Sequence, residues 1–452
     1  PGQREVSTQI FDDLKSEHPM HRLLQGEVGS GKTIVALRAA LNVIDAGAQV
    51  ALLAPTEVLA QQHHRTILKQ LGTLATKGQL GAPEEAVEIA LLTGSLTLGE
   101  KKEIQARCKD GQVDLVIGTH ALLSEAVNFS DLGLVIVDEQ HRFGVEQRDA
   151  LRAKAKTPPH LLVMTATPIP RTVAITVFGD LDISTLTELP LGRAPIATHL
   201  VNALTKPAFL ERAWQRIREE AAAGHQAYVV APRINSESAE DADIDFLFGM
   251  ESKDLNSVTE LAPKLSNGPL KGLKIALLHG KLPPDEKEAT MQAFSNRQIE
   301  VLISTSVIEV GVDVPNATVM VIMDADRFGI SQLHQLRGRV GRGEAPGLCL
   351  LVTSVAEDSP AYERLNAVAG TLDGFELARI DLEQRREGDV LGIAQSGTRS
   401  HLKLLRVLRD EEIINKARAA AESTLASGIL PALKIELDKL IKEQEVEYLD
   451  KG

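Results

Sequence analysis

The residues best suited to chemistry lie near the start of the chain. Gly26-Glu27-Val28-Gly29-Ser30-Gly31-Lys32-Thr33 fits G-x-x-x-x-G-K-[ST], after the apolar pair Leu23-Leu24 and before a helical stretch. Glycines in such a turn let backbone N–H groups wrap phosphate oxygens at a helix N-terminus. Lys32 then reaches the β- and γ-phosphates, and the Thr33 hydroxyl is a ligand for Mg²⁺. Further on, the apolar run Leu134-Val135-Ile136-Val137 ends in Asp138-Glu139-Gln140-His141. A carboxylate at the C-terminal end of a strand holds Mg²⁺ through water, and its neighbour positions or activates the attacking water. Taken alone, Asp138 and Glu139 fit an acidic strand end facing solvent equally well. Behind a phosphate loop they supply the second half of a site that hydrolyses a nucleoside triphosphate.

Residues this far apart need a scaffold, and the chain supplies one. Short apolar runs, Val50–Ala54, Ile89–Leu92, Leu115–Ile117, Leu134–Val137 and Leu161–Met164, read as buried parallel strands. Helical stretches lie between them, as at Lys32–Ala46 and Glu57–Leu71. That alternation predicts a doubly wound α/β sheet. It restarts after Leu189-Pro-Leu-Gly-Arg-Ala-Pro195, with strands at Tyr228–Val230, Lys274–Leu278, Val301–Ile303, Val319–Met323 and Leu348–Val352. The expected divisions are a first lobe over 1–195, a second over 196–354 and a small helical tail over 355–452. The tail is marked by Leu402, Leu405, Leu408 and the alanine-rich Ala417–Ala426. Ser236–Lys264, with five carboxylates between Glu237 and Asp245, interrupts the second lobe and reads as a solvated acidic insertion.

Composition narrows the class. A chain of 452 residues exceeds one core, and 43% apolar with 25% charged residues is ordinary for a globular protein. No run of eighteen apolar residues occurs, so no membrane span is expected. Only Cys108 and Cys349 are present, which argues against a disulfide framework or a zinc site and for a reducing cytoplasm. The formal charge of −13 argues against tight passive binding of nucleic acid, yet a binding cleft is local and net charge is global.

The D-E-x-H form of Asp138–His141 resembles motif II of superfamily 2 helicases. Met164-Thr165-Ala166-Thr167-Pro168 resembles motif III, and Gln335-Leu-Arg-Gly-Arg339-Val-Gly-Arg342 resembles motif VI. The resemblance implies two tandem RecA-like P-loop lobes, with ATP and Mg²⁺ as cofactors. It implies that Arg342 is a finger for the γ-phosphate, Arg339 its partner and Gln335 a nucleotide-binding residue; a planar guanidinium pairs with two phosphate oxygens. Gln3 stands where the family's adenine-reading glutamine lies. Ala54-Pro-Thr56-Glu, Leu92-Thr93-Gly-Ser, Gly118-Thr119-His and Ser304-Thr305-Ser resemble motifs Ia, Ib, the next strand-contacting loop and motif V. By that resemblance Thr56, Thr93, Thr119, Thr165, Thr167 and Thr305 contact DNA or couple it to the nucleotide. Small hydroxyls position a backbone without reading bases. Thr119 alone also fits a strand-end cap.

Within the superfamily, Asp138 to Arg148 and Thr165 to Thr172 resemble extensions shared by the RecG branched-DNA translocases and the transcription-coupled repair translocase Mfd, while Gln140-His141 and Phe178 to Ser184 look more like RecG; Mfd-like and RNA-helicase roles are the alternatives within the motor class. Gly374-Phe-Glu376 through Gln395-Ser-Gly397 resembles the translocation motif those proteins share. It places Arg385, Arg386 and Gln395 in a loop that couples lobe closure to movement on duplex. The match departs at Arg385-Arg386-Glu387-Gly388, where the family has Arg-Gly-Pro-Gly. The resemblance implies an ATP-driven translocase or helicase on branched DNA, such as stalled forks and Holliday junctions, in repair and recombination. It further implies a monomer in the cytoplasm, associated with the nucleoid, with a single-stranded DNA-binding protein as a partner. An ATP-gated DNA clamp is the reading from another class. The chain starts without Met, and nothing in it corresponds to the family's N-terminal wedge, so a longer parent protein is expected.

Overall fold

In this computed structural model the apolar runs of the first half lie side by side. Strands β1 (His21–Gly26), β2 (Gln49–Leu53), β3 (Ile89–Leu92), β4 (Leu115–Gly118), β5 (Leu132–Asp138), β6 (His160–Thr165) and β7 (Asp182–Leu186) form one sheet. Its order is β3-β4-β2-β5-β6-β1-β7, with every pairing parallel. A second sheet is built from β8 (Ile196–Asn202), β9 (Gln226–Val230), β10 (Ile275–Leu278), β11 (Val301–Ser304), β12 (Ala317–Ile322) and β13 (Gly347–Thr353). Its order is β10-β11-β9-β12-β13-β8, again all parallel. The residues described are 2–16, 18–27, 29–77, 83–138, 154–155, 157–166, 181–188, 196–232, 257–305, 314–343, 345–384, 411–428, 431, 433–436 and 439.

Helices cover both faces of the second sheet, and its strands are continuous rather than alternating apolar runs. In the first sheet Leu24, Val50, Leu52, Leu115, Ile117, Leu134 and Ile136 form one buried layer with helices α1 (Gly2–Leu14), α2 (Lys32–Asp45) and α3 (Glu57–Leu71); α4 (Leu98–Lys109) follows β3. In the second sheet alternate residues divide between two layers. Tyr228, Leu302, Met320 and Leu351 pack with α7 (Pro284–Ser295), α8 (Ile330–Arg337), α9 (Pro360–Gly370) and α10 (Gly374–Gln384). Val229, Val301, Val319 and Leu350 pack with α5 (Pro207–Ala222) and α6 (Val258–Asn267). The chain divides into two compact units, and both sheets fall in the first, which runs to Asp381. The second unit holds helix α11 (Glu411–Ser427), over the alanine-rich stretch.

Two strands have no counterpart among the expected ones, and each is an edge. β7 is short and polar, and β8 is exposed at alternate residues along most of its length. The end of the acidic stretch also departs from expectation. Residues 236–256 lie outside the described residues, but Val258–Asn267 is not a solvated insertion. Val258, Leu261, Ala262 and Leu265 recur at i, i+3, i+4 and i+7, and all four are buried against the second sheet. The acidity of the residues before it obscured that short apolar stripe. Leu402, Leu405 and Leu408 lie outside the described residues.

Candidate functional site

The sheet order places the expected first-lobe residues on one edge. Gly26 closes β1, Asp138 closes β5 and Thr165 closes β6, while Thr56, Thr93 and Thr119 follow the ends of β2, β3 and β4. Gln25 stands in register with Thr165, and Asp138 with Met164. Ligands of open α/β sheets bind beyond these carboxyl ends. In the second sheet Thr305 follows β11 in the same way.

The phosphate loop is shaped for an anion. Gly31 is the N-cap of α2, with a left-handed φ of 93° and no side-chain cap. The positive φ disfavours any other residue there, and a Cβ would have to displace the Gln3 amide. The Gln3 amide donates to Ser30 O at 2.9 Å, which ties α1 to the loop. Lys32 Nζ donates to Gly26 O at 2.7 Å and to Glu27 O at 3.0 Å, so the ammonium is held across the loop. Ser30 Oγ is buried and has no hydrogen-bond partner among the described residues. A buried hydroxyl without a partner, an ammonium and an uncapped helix start suit the phosphates of a nucleotide. Thr33, half-buried in the first turn of α2, carries the hydroxyl for a cation beside them.

At the end of β5, Asp138 is buried, and its Oδ2 lies 2.7 Å from Nε2 of His63 on α3. The residues that resemble strand-contacting motifs are mostly withdrawn from water. Thr93, Thr119, Thr165 and Thr305 are buried, and Thr56 is half-buried. Thr56 is the N-cap of α3: its hydroxyl accepts from Leu59 N at 3.3 Å, which leaves its own O–H to donate outward. Thr119 precedes the turn His120–Leu123 but makes no side-chain cap bond. Glu139, Thr167, Arg385, Arg386 and Gln395 lie outside the described residues.

The second sheet's helix α8, which carries Gln335 and leads into Arg339 and Arg342, meets the phosphate loop directly. Glu27 presents its carboxylate to His334 Nε2 at 3.0 and 3.1 Å and accepts the Gly374 N–H at 3.2 Å. Behind His334, Arg337 Nη2 reaches His334 Nδ1 at 2.8 Å. Its Nη1 donates to Val368 O at 2.8 Å and Thr371 O at 2.7 Å. A connected set of bonds thus runs from the phosphate loop through α8 to the end of α9 and the start of α10. Gln335 is buried in α8, and Arg342 Nε donates to Gly338 O at 2.8 Å. Glu27, His63 and His334 escaped the sequence reading, and Arg337 entered it only beside Arg339 and Arg342, as an arginine of a basic segment. Glu27 and Arg337 occupy unspecified positions of their motifs, and His63 belongs to no spacing pattern.

Three family models match. Residues 1–175 match DEAD/DEAH box helicase, 220–344 match Helicase conserved C-terminal domain, and 371–442 match ATP-dependent DNA helicase RecG, domain 3, C-terminal. The chain is 58% identical over 453 residues to ATP-dependent DNA helicase RecG of Mycobacterium bovis, covering 100% of this chain and 61% of the relative. It is 44% identical over 441 residues to the protein of that name from Synechocystis sp., covering 98% of this chain and 49% of the relative. It therefore spans about three fifths or less of the length of these relatives. Among solved structures it is similar to RecG bound to a three-way DNA junction. There the TM-score is 0.68 and the identity 38%, over 91% of this chain and 50% of that one. The Mycobacterium smegmatis helicase Lhr shares the fold, with TM-score 0.56 and 18% identity over 80% of this chain and 48% of its own.

Proposed function

Because this chain belongs to the RecG family of ATP-dependent DNA helicases, we propose that it is the ATP-driven motor of a translocase acting on branched duplex DNA in repair and recombination. The observation that carries the proposal is the contact of Glu27 with His334 at 3.0 Å. It brings the second sheet's Q-x-x-G-R-x-G-R segment against the phosphate loop of the first. A site shared between two lobes is what lets hydrolysis in one place change their mutual position.

When bound, ATP with Mg²⁺ supplies a phosphoryl group whose negative charge the protein must hold and spread. Gly26, Gly29, Gly31 and Lys32 bind the phosphates, Thr33 and Asp138 receive the metal, and Gln3 orients the adenine side of the loop. Glu139 positions the attacking water. Gln335 and Arg339 complete the site from the second lobe, and Arg342 neutralises the γ-phosphate as it departs. Thr56, Thr93, Thr119, Thr165, Thr167 and Thr305 position the strand or link it to the nucleotide. By the same resemblance Arg385, Arg386 and Gln395 belong to the segment that grips duplex phosphates and couples turnover to movement. The domains follow as two motor lobes, 1–195 and 196–354, and a coupling tail, 355–452. The protein works in the cytoplasm as a monomer at the nucleoid, and a single-stranded DNA-binding protein is a partner. No helix among the described residues is long and apolar enough to cross a membrane.

The test is ATP turnover on forked, linear duplex and single-stranded DNA. Forked DNA should stimulate most. Lys32→Ala and Glu139→Gln should abolish turnover on all three, and Glu139→Gln should still bind nucleotide. Equal stimulation by single strands would point to a different track. Affinity that changes with ATP, without displacement of a triplex-forming strand, would favour the clamp.

A further inference from the structure

His63, on α3, has no place in any motif that the sequence suggests, yet its side chain is buried against the end of β5. It is 8% exposed, as is Asp138, and its Nε2 lies 2.7 Å from Asp138 Oδ2. Polar groups this far from water are retained where each satisfies the other. An ionised carboxylate only accepts, so the imidazole is the donor. Strand β5 fixes the backbone of Asp138 by its pairing with β6, in register with Met164. The bond from His63 acts on the part the strand does not fix, restraining the rotation of the carboxylate.

The helix that presents His63 is itself held at its start. Thr56 caps it, and Glu57 Oε1 accepts the Ser95 N–H at 3.1 Å. Glu57 and His63 stand about 9 Å apart along the axis, at 1.5 Å per residue. One rigid segment therefore fixes the height of the imidazole over the end of β5. We propose that His63 is a positioning residue that holds the Asp138 carboxylate in one orientation for Mg²⁺. This rests on reading Asp138 as the metal-binding carboxylate. Outer partners of metal ligands act in this way, and their loss costs about 10- to 100-fold in metal affinity.

The experiment is a metal titration of nucleotide binding on the full chain, followed with a fluorescent ATP analogue, together with Mn²⁺ binding by electron paramagnetic resonance. His63→Ala should raise the metal concentration at half-saturation by about 10- to 100-fold. It should leave binding of the analogue in chelator near that of the parent. His63→Gln, whose amide nitrogen can donate from a similar place, should recover most of the loss. Circular dichroism identifies a variant that does not fold; if His63→Ala is one, His63→Gln against His63→Leu carries the same comparison. Half-saturation equal to the parent's in both members of the pair overturns the inference alone. A parent that shows no metal-dependent nucleotide binding overturns the reading of the site, and the inference with it.

Discussion

His160 shows how one side chain can make stability depend on pH. Its Nδ1 accepts the Met20 N–H at 2.9 Å, a bond open only to an unprotonated nitrogen. Burial lowers its pKa below the usual value, against the opposing carboxylate of Asp13 and with a smaller contribution from His21. The folded state therefore resists a proton that the unfolded chain accepts near about pH 6.5. Above that pH the group is neutral in both states and adds no slope. As pH falls through the unfolded value, the unfolded chain binds more protons and stability declines. His64 and His279 shift in the same direction, again chiefly by burial. The urea midpoint should drop between pH 7.5 and 5.5. His160→Asn, whose amide oxygen can still accept from Met20, should show a shallower drop, and an undiminished one would remove His160 from the account. Such roles were not legible in the sequence. Lys32 and Thr33 stand in a spacing that chemistry dictates, whereas His160, like His63, gains its meaning from a neighbour more than seventy positions away.

Elements were legible where burial is two-sided. The runs that became β2, β4, β5, β9, β11 and β12 are apolar throughout because they are buried on both faces. The edge strands β7 and β8 face water on one side, so their composition resembles a loop. Helix α6 was masked by the acidic residues before it. What joins the elements is still less visible. Arg337 is 2% exposed and binds the carbonyls that end α9. Arg337→Met keeps much of the stem but leaves both carbonyls and the His334 imidazole without their donor. It should cost at least about 3 kcal/mol in unfolding free energy, since three groups lose their donor and each unsatisfied buried group costs about 1–3. Arg337→Lys, which keeps the charge but not the planar fork, should fall between the two. A loss under about 0.5 kcal/mol, the range of an ordinary surface change, would mean that these bonds hold nothing together.

At the scale of the molecule, the formal charge of −13 is compatible with a DNA motor only if basic groups are concentrated where the track and the phosphates lie. The segment after α8 has that character, with Arg339 and Arg342 within four residues. If Arg342 acts from the second lobe on a nucleotide held by the first, binding and chemistry should separate. Arg342→Ala should lower kcat by at least about a thousandfold while the fluorescent ATP analogue still binds. Proportionate losses in binding and turnover, or no loss in either, would count against that role.

The position of β7 has a mechanical meaning. The chain leaves the first sheet at Leu186 and enters the second at Ile196, and Leu186 is the residue paired with Gly26. A Cβ on Gly26 would stand 2.9 Å from both the Leu186 Cβ and the Leu186 carbonyl, so the two backbones are in contact. The Gly2 N–H, donating to Glu188 Oε1 at 3.1 Å, pins the same exit from the other side. The point at which the chain departs from the first sheet is therefore fixed against the first glycine of the phosphate loop, so that a change in the loop's backbone and a change in the direction of that departure are one event.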